Sequence, residues 1–194
     1  MGEYISLDES MIKYKGRQIK FVQYMPAKPI KHGIKVFAIC CGETGYICGF
    51  YVYTGKENDP SSGPTEVLRL LLERDPDFLN SSDRTVFMDN YYTSEEVMKM
   101  LFEEYKFFTV GTVKISDKKS HTKEDVVFHK LSNAAKKDVG RGWLRWAQKT
   151  VTTGIGSVIF QCTTWVDNRQ VGVLHHERRT PRVHHSTLRS GEVG

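Results

Sequence analysis

The feature that most constrains this chain is the spacing of its apolar residues, which changes between strand and helix periods along the sequence. Residues 3–14, 34–41 and 46–53 are rich in β-branched and aromatic side chains, which is typical of strands. The turn residues 42–45 separate the last two runs and predict a hairpin. From Pro64 onward the period becomes helical, because four apolar residues share one face: Val67, Leu68, Leu71 and Leu72.

The same alternation continues in the middle of the chain. Residues 84–88 form a short apolar run that leads directly into Asp89. Thr93 and Glu96 have the spacing of a capping box, which predicts that a second helix begins there. Residues 107–115 have the composition of another strand. The order strand, hairpin, helix, strand, helix, strand predicts an α/β fold with a mixed sheet flanked by helices, as in ribonuclease H-like domains.

The C-terminal third is less regular. Residues 118–137 are polar, charged and without a period, which predicts an exposed excursion. Trp143 and Trp146 lie near two arginines, so they form either a stacking surface for bases or the core of a short helix. Residues 157–165 and 170–174 have the composition of two further strands.

Length and charge limit the class of protein. A chain of 194 residues suits one sizeable domain. We expect that domain over residues 1–174, incomplete at its C-terminus, and a basic, disordered tail over residues 175–194. The net charge of +5 is compatible with a polyanionic partner. No apolar run approaches the roughly 18 residues of a membrane span, and the N-terminus lacks the order of a secretory signal, so a cytosolic or nuclear location is expected.

The four cysteines do not have the spacing of a common zinc site. Cys40 and Cys41 follow an apolar run, which favours buried, reduced thiols with a structural role.

Two acidic residues are candidates for chemistry. Asp8 lies inside a strand-like stretch and Asp89 ends one, positions at which a carboxylate is costly unless it has a ligand. If the two strands are neighbours, both carboxylates reach one cleft beyond the strand ends, where they repel each other without a cation. Oxygen ligands favour Mg²⁺ or Mn²⁺, which would suit phosphodiester cleavage. The alternative interpretation is that Asp89 only terminates its strand.

Several motifs resemble those of the piggyBac-type transposases, over about residues 4–174. The early motifs are Ser6-Leu7-Asp8-Glu9-Ser10-Met11, Lys15-Gly16-Arg17, Gln23-Tyr24-Met25-Pro26, Lys28-Pro29 and Gly33-Ile34-Lys35. The later motifs are Thr44-Gly45-Tyr46, Val52-Tyr53-Thr54-Gly55-Lys56, Asp89-Asn90-Tyr91-Tyr92-Thr93-Ser94 and Gly111-Thr112-Val113. The early motifs are long, ordered and correctly spaced, so the resemblance is specific.

This resemblance implies a ribonuclease H-like core that uses Mg²⁺ for hydrolysis and strand transfer at transposon ends in the nucleus. On the resemblance, Asp8 and Asp89 are the first two of three catalytic, metal-binding acids. The third is expected in a Gly-Val-Asp motif, which this sequence does not contain. Asp167 matches a turn that precedes the third acid in the family and is therefore not assigned to the site.

The resemblance also implies DNA as a partner, and a transposase dimer. The basic residues that we expect to contact DNA phosphates are Lys15, Arg17, Lys28, Lys31 and Lys35. The alternative for these residues is a solvated basic surface without a ligand.

Two functions of different classes remain open at this stage. The first is a metal-dependent DNA transposase core, and the second is a non-catalytic remnant that binds DNA or a related transposase. Because two carboxylates seldom position two metal ions, we expect little or no cleavage by this chain alone.

Overall fold

The computed structural model describes residues 2–55, 63–73, 83–113, 144–166 and 170–176. Within these ranges the chain forms nine strands and two helices. In chain order, the elements are β1 (Tyr4–Lys13), β2 (Gln23–Tyr24), β3 (His32–Cys41), β4 (Ile47–Val52), α1 (Pro64–Leu72), β5 (Thr85–Met88), α2 (Glu95–Tyr105), β6 (Phe108–Val113), β7 (Leu144–Thr153), β8 (Gly156–Val166) and β9 (Gln170–His176).

All the strands belong to one mixed sheet with the order β2-β3-β1-β5-β6-β9-β8-β7, and β4 also pairs with β3. β3 pairs antiparallel with both β4 and β1. On the other side of β1, the strands β1, β5 and β6 run parallel to one another. The predicted hairpin, helix, strand, helix and strand are all found in the predicted order. The mixed α/β, ribonuclease H-like architecture expected from the sequence is therefore confirmed.

Alternation along β1 sorts its side chains between the two sides of the sheet. Ile5, Leu7 and Met11 are buried on one side, which we call the packed face. Tyr4 and Ile12 are exposed on the other side, which we call the open face. The two helices cover the packed face, and residues of this face and of both helices form a single apolar cluster. This period-two pattern decides which polar side chains of β1 reach solvent.

Both helices bury the apolar residues that the sequence assigned to them. In α1 these are Val67, Leu68, Leu71 and Leu72, and in α2 they are Val97, Met98, Met100, Leu101 and Tyr105. The predicted capping box is wrong by one residue: the N-cap of α2 is Ser94, whose hydroxyl accepts a hydrogen bond from the Val97 backbone N–H. Thr93 instead stabilises the turn that precedes the helix, because its hydroxyl donates a hydrogen bond to the Asp89 carbonyl oxygen at 2.6 Å.

The prediction of a short helix around Trp143 and Trp146 is wrong where it can be checked. Trp143 lies outside the described residues, but Trp146 lies in β7 and pairs with Thr163 of β8. With 47% of its surface exposed, Trp146 is not a core residue either. Its exposed ring leaves the alternative, a stacking surface, as an untested prediction.

The hairpin of β7 and β8 lies against α2. Lys149 on β7 pairs with Glu95 at 2.8 Å, and the Gly154 backbone N–H donates to Glu103. Four residues of the hairpin belong to the main apolar cluster: Val151, Val158, Phe160 and Cys162. The second half of the sheet is therefore part of the same core as the first.

The predicted division into a domain and a tail is only partly described. Strand β9 extends to His176, two residues past the expected end of the domain, and pairs with both β6 and β8. Residues 118–137 and 177–194, for which an excursion and a tail are predicted, lie outside the described residues. In the described ranges, neither helix is long and apolar enough to cross a membrane.

Candidate metal-binding site

The two candidate aspartates follow the last paired residues of two neighbouring strands. β1 and β5 are parallel, and their pairing runs from Tyr4 and Thr85 to Leu7 and Met88. The next residue on each strand is an aspartate, Asp8 on one and Asp89 on the other. Because paired strands lie about 4.8 Å apart, one register step places both carboxylates at the same point of the sheet.

Both aspartates also belong to the same side of the sheet. Tyr4 and Phe87 are in ring contact on the open face, with centroids 5.9 Å apart. Asp8 follows Tyr4 by four residues and Asp89 follows Phe87 by two, so the pleat places both on that face. The neighbouring strands that the sequence argument required are therefore present.

The reason first given for singling out Asp8 is wrong, however. Its side chain is 63% exposed, so it does not bear a burial cost inside the strand. The acid on the packed face of β1 is its neighbour Glu9, whose side chain is 20% exposed. Asp89 is exposed as well. The two aspartates are therefore accessible to a ligand from solvent, whereas Glu9 is held within the fold.

Backbone hydrogen bonds orient both aspartates in a similar way. Asp8 Oδ1 accepts from the Glu9 N–H at 2.7 Å, and Asp89 Oδ1 accepts from the Tyr91 N–H at 2.8 Å. The Asp89 carbonyl oxygen also accepts from the Thr93 N–H at 3.1 Å, which closes the turn before α2. Each carboxylate is consequently fixed through one oxygen before any ligand arrives.

A glycine on β6 makes room for this turn. Gly111 is the strand partner of Met88, so it lies beside the end of β5. A Cβ at Gly111 would overlap the Thr93 side chain. The Gly111-Thr112-Val113 motif therefore has a packing reason: only glycine lets Thr93 lie over β6 and hold the Asp89 carbonyl oxygen.

Two of the five predicted DNA-binding residues are bound to acidic side chains of this region. Lys35 pairs with Glu9 at 2.8 Å and lies over the Phe37 ring, 4.5 Å from its centroid. The ammonium of Lys28 lies 3.7 Å from a Glu9 carboxylate oxygen and 3.9 Å from Asp8 Oδ1. It also donates to the Glu9 carbonyl oxygen at 3.1 Å. Lys28 therefore supplies a positive charge at the point where a cation would approach Asp8.

The other three predicted DNA-binding residues have a different environment. Lys15 and Arg17 lie in the loop after β1, Lys31 precedes β3, and all three are exposed. The five basic residues thus divide into an exposed set and a pair that neutralises Glu9.

Tyr92 is a buried polar residue between the acids and the core. It is 1% exposed, and its hydroxyl has no hydrogen-bond partner among the described residues. Its ring packs edge-to-face on Phe37, with centroids 6.3 Å apart. Burial raises the pKa of Tyr92 above its usual range, and the nearby charges of Glu9, Asp89 and Asp8 raise it further. The Tyr92 hydroxyl is therefore protonated at any physiological pH.

A cleft of about 900 Å³ opens beside Asp89, between the beginnings of the two helices. Its walls include Pro64 and Arg69 of α1, and Asn90 and Ser94 before α2. Of the two aspartates, Asp89 lines this cleft and Asp8 does not.

The donor set suits a hard divalent cation. Asp8 and Asp89 offer carboxylate oxygens, the ligands that Mg²⁺ and Mn²⁺ prefer, and the Lys28 ammonium beside Asp8 shows that the site attracts positive charge. In the part of the chain that the structure describes, no three His, Cys, Asp or Glu side chains are grouped closely enough to hold a metal ion. Asp8 and Asp89 are thus a pair of neighbouring carboxylates that no third side chain of these types joins within the described ranges.

Two functional candidates were missed by the sequence interpretation. Glu9 could have been found from the alternation of side chains along β1. Every second residue faces the core, and Glu9 is the one acid in that series: Ile5, Leu7, Glu9 and Met11. Tyr92 offers no comparable signal, since a tyrosine after a strand end can be exposed or buried. Only the packing against Phe37 identifies it.

Comparison with known proteins gives two findings. A sequence-family profile described as Transposase IS4 matches residues 1–176. A piggyBac transposase, solved by cryo-EM as a synaptic complex with hairpin DNA, has a similar structure, with a TM-score of 0.65 and 24% sequence identity. The similarity covers 96% of this chain and 35% of that one. The chain therefore spans about a third of the length of the transposase that it resembles, and the structural likeness concerns the fold.

Proposed function

Since this chain belongs to the Transposase IS4 family, we propose that Asp8 and Asp89 are two of the carboxylates with which a DNA transposase binds divalent metal for phosphodiester hydrolysis and strand transfer. One observation carries the proposal. The strand pairing that ends at Leu7 and Met88 is followed on both strands by an aspartate on the open face. Neighbouring exposed carboxylates repel each other, and a cation removes that repulsion.

The metal that fits these donors is Mg²⁺ or Mn²⁺. Held by Asp8 and Asp89, such an ion would polarise a phosphoryl oxygen and would lower the pKa of the attacking water. The chain's own contribution is orientation: Asp8 and Asp89 each have Oδ1 fixed by a backbone N–H. The exposed position of both residues leaves the site accessible to a strand of DNA.

Lys28 has a second function in this proposal. Its ammonium, 3.9 Å from Asp8 Oδ1, neutralises the site before metal binds, and a phosphate that reaches the metal site comes within its reach. Lys15, Arg17 and Lys31 are exposed and contact more distant phosphates through charge. The DNA in the solved complex of the similar transposase supports DNA as the partner.

The chain alone cleaves little DNA in this proposal, because two carboxylates position two metal ions poorly. The sequence does not contain the Gly-Val-Asp motif in which the third acid is expected, and this observation supports the view. The same observation favours a second candidate function, a non-catalytic module that binds DNA or a related transposase, for example in a dimer. In either case we propose that the protein acts in the nucleus.

Metal binding tests the proposal and separates the two candidates. We expect Mn²⁺, titrated into the full chain by isothermal calorimetry, to bind at least tenfold more weakly to Asp8→Asn and to Asp89→Asn, because each variant removes a ligand charge. Glu73→Gln, an exposed acid after α1, is the control and should bind like the wild type. Equal affinity in all four proteins would end the metal-site proposal and leave the non-catalytic module.

DNA binding and cleavage complete the test. The affinity for a nicked duplex should fall steeply as salt rises, and replacement of Lys15, Arg17 and Lys31 by Gln should reduce the log–log salt slope by about three. With Mn²⁺ present, the chain alone should cleave no more of this DNA than the Asp8→Asn, Asp89→Asn double variant. Robust cleavage that is lost in the double variant would instead establish the chain as an active enzyme.

A further inference from the structure

The hydroxyl of Tyr92 is a buried hydrogen-bond donor that the fold itself does not use. The residue is 1% exposed, and its hydroxyl has no partner in the described parts of the chain. The ring has a clear packing function on Phe37, but phenylalanine would provide that contact without burying an unpaired oxygen. An unpaired hydroxyl at a buried position needs a reason other than packing.

The surroundings of Tyr92 point to the acidic site. Phe37, on which the ring packs, is the cross-strand partner of Glu9, so Tyr92 lies over the part of the packed face that carries Glu9. The turn that Tyr92 occupies begins at Asp89, whose side chain and carbonyl oxygen accept hydrogen bonds from its two chain neighbours, Tyr91 and Thr93. Tyr92 is thus connected by packing to Glu9 and by backbone to Asp89.

The charges around the hydroxyl agree with this position. Of the carboxylates that act on Tyr92, Glu9 has the largest effect, followed by Asp89 and Asp8. The Glu9 carboxylate is itself occupied by cations, since Lys35 lies 2.8 Å and Lys28 3.7 Å from its oxygens. A second positive ion at Asp8 would repel the Lys28 ammonium and weaken its hold on Glu9.

We propose that Tyr92 is a positioning residue of the metal site: when a divalent cation at Asp8 displaces Lys28, the Tyr92 hydroxyl donates a hydrogen bond to the Glu9 carboxylate in its place. The inference rests on the proposed function, because it requires metal at Asp8 and Asp89. Tyr92 does not contact the metal in this scheme. It keeps Glu9 fixed, and with it the β1 backbone that orients Asp8 through the Glu9 N–H.

The scheme predicts that the Tyr92 hydroxyl matters only in the metal-bound protein. We expect Tyr92→Phe to bind Mn²⁺ about tenfold more weakly than the wild type in calorimetry, as is usual for residues that support a metal ligand from outside. Without metal, the melting temperature of Tyr92→Phe should equal or exceed that of the wild type. With saturating Mn²⁺, the increase in melting temperature should be smaller in the variant. A purely structural tyrosine would change both melting temperatures alike.

Two controls make the outcome decisive. Tyr105→Phe removes the hydroxyl of another buried tyrosine, at the far end of α2, and should leave Mn²⁺ affinity unchanged. Glu9→Ala combined with Tyr92→Phe should lose no more affinity than Glu9→Ala alone, since each change removes one partner of the same hydrogen bond. Wild-type Mn²⁺ affinity in Tyr92→Phe would overturn the inference while leaving the metal site intact. Failure of the metal site itself would appear separately, as equal binding by wild type and Asp8→Asn.

Discussion

Two adjacent acids of β1 lie on opposite faces of the sheet and differ in exposure and in ion pairing. Asp8, on the open face, is 63% exposed and, among the described residues, has one long ion pair, to Lys28 at 3.9 Å. Glu9, one residue later, is 20% exposed and holds two lysines. The chemical groups are nearly the same, and only strand parity separates them. The exposed acid is available to a ligand from outside, whereas the half-buried acid fixes the positions of cations inside the fold.

The same contrast recurs on β3 with two adjacent cysteines. Cys40 pairs with Ser6 of the open face, and burial together with the charge of Asp8 raises its pKa. Cys41 pairs with Ile5 of the packed face, and hydrogen bonds from the Thr44 side chain and from backbone N–H groups lower its pKa to about 7. Within the described residues, no disulfide joins any of the four cysteines. Neighbours in sequence thus have separate chemistry because the pleat divides them.

The largest expected effect comes from removing an apolar side chain of the packed face. Leu7→Ala should lower the free energy of unfolding by about 3 kcal/mol, because Leu7 is almost fully buried and its truncation leaves a cavity. Ser6→Ala, its neighbour on the open face, should change that free energy by less than about 0.5 kcal/mol. Urea denaturation measures both. Similar losses in the two variants would show that the faces are not as different as their burial indicates.

A smaller effect is expected from the two acids of β1. Glu9→Ala should cost about 1–2 kcal/mol of unfolding free energy, because it leaves the Lys35 ammonium, 18% exposed, without its carboxylate. Asp8→Asn should be nearly neutral, since an amide oxygen still accepts from the Glu9 N–H. Urea denaturation at low ionic strength compares them. If Asp8→Asn proved the more destabilising change, the assignment of Glu9 as the internal acid would be wrong.

The smallest expected effect concerns thiol reactivity. Asp8→Asn should lower the pKa of Cys40, because it removes a negative charge that disfavours the thiolate. At a fixed pH near 8, iodoacetamide should therefore modify Cys40 faster in the variant, as followed by peptide mass spectrometry. Cys41 is the internal control, because Asp8 does not contribute to its pKa. An unchanged rate at Cys40 would contradict the proximity of Asp8 to that thiol.

The pH dependence of Cys41 has a defined sign. Its pKa in the folded protein, about 7, is below the ordinary value of 9.0, so the folded state favours the thiolate. Any stability from this preference is fully present above pH 9 and is lost as pH falls through about 7.

Most of the fold was predictable because period and turn residues are local properties. The hairpin, both helices and the strands between them followed from these properties. The errors are also local: the cap of α2 was placed one residue early, at Thr93, because two hydroxyl residues compete there. Strand β7 was missed since Trp146 sits in a sequence without clear alternation, and its partner β8 supplies the hydrogen bonds that make it a strand.

The candidate site divides in the same way. Sequence alone determined the identity of Asp8 and Asp89, because each stands at a recognisable point of a strand and a motif. Tertiary structure decided that one register step between β1 and β5 brings them together, and that Lys28, Glu9 and Tyr92 surround them. The physical reason is that strand pairing and side-chain packing join residues some eighty positions apart. Neither interaction produces a periodic pattern in the sequence.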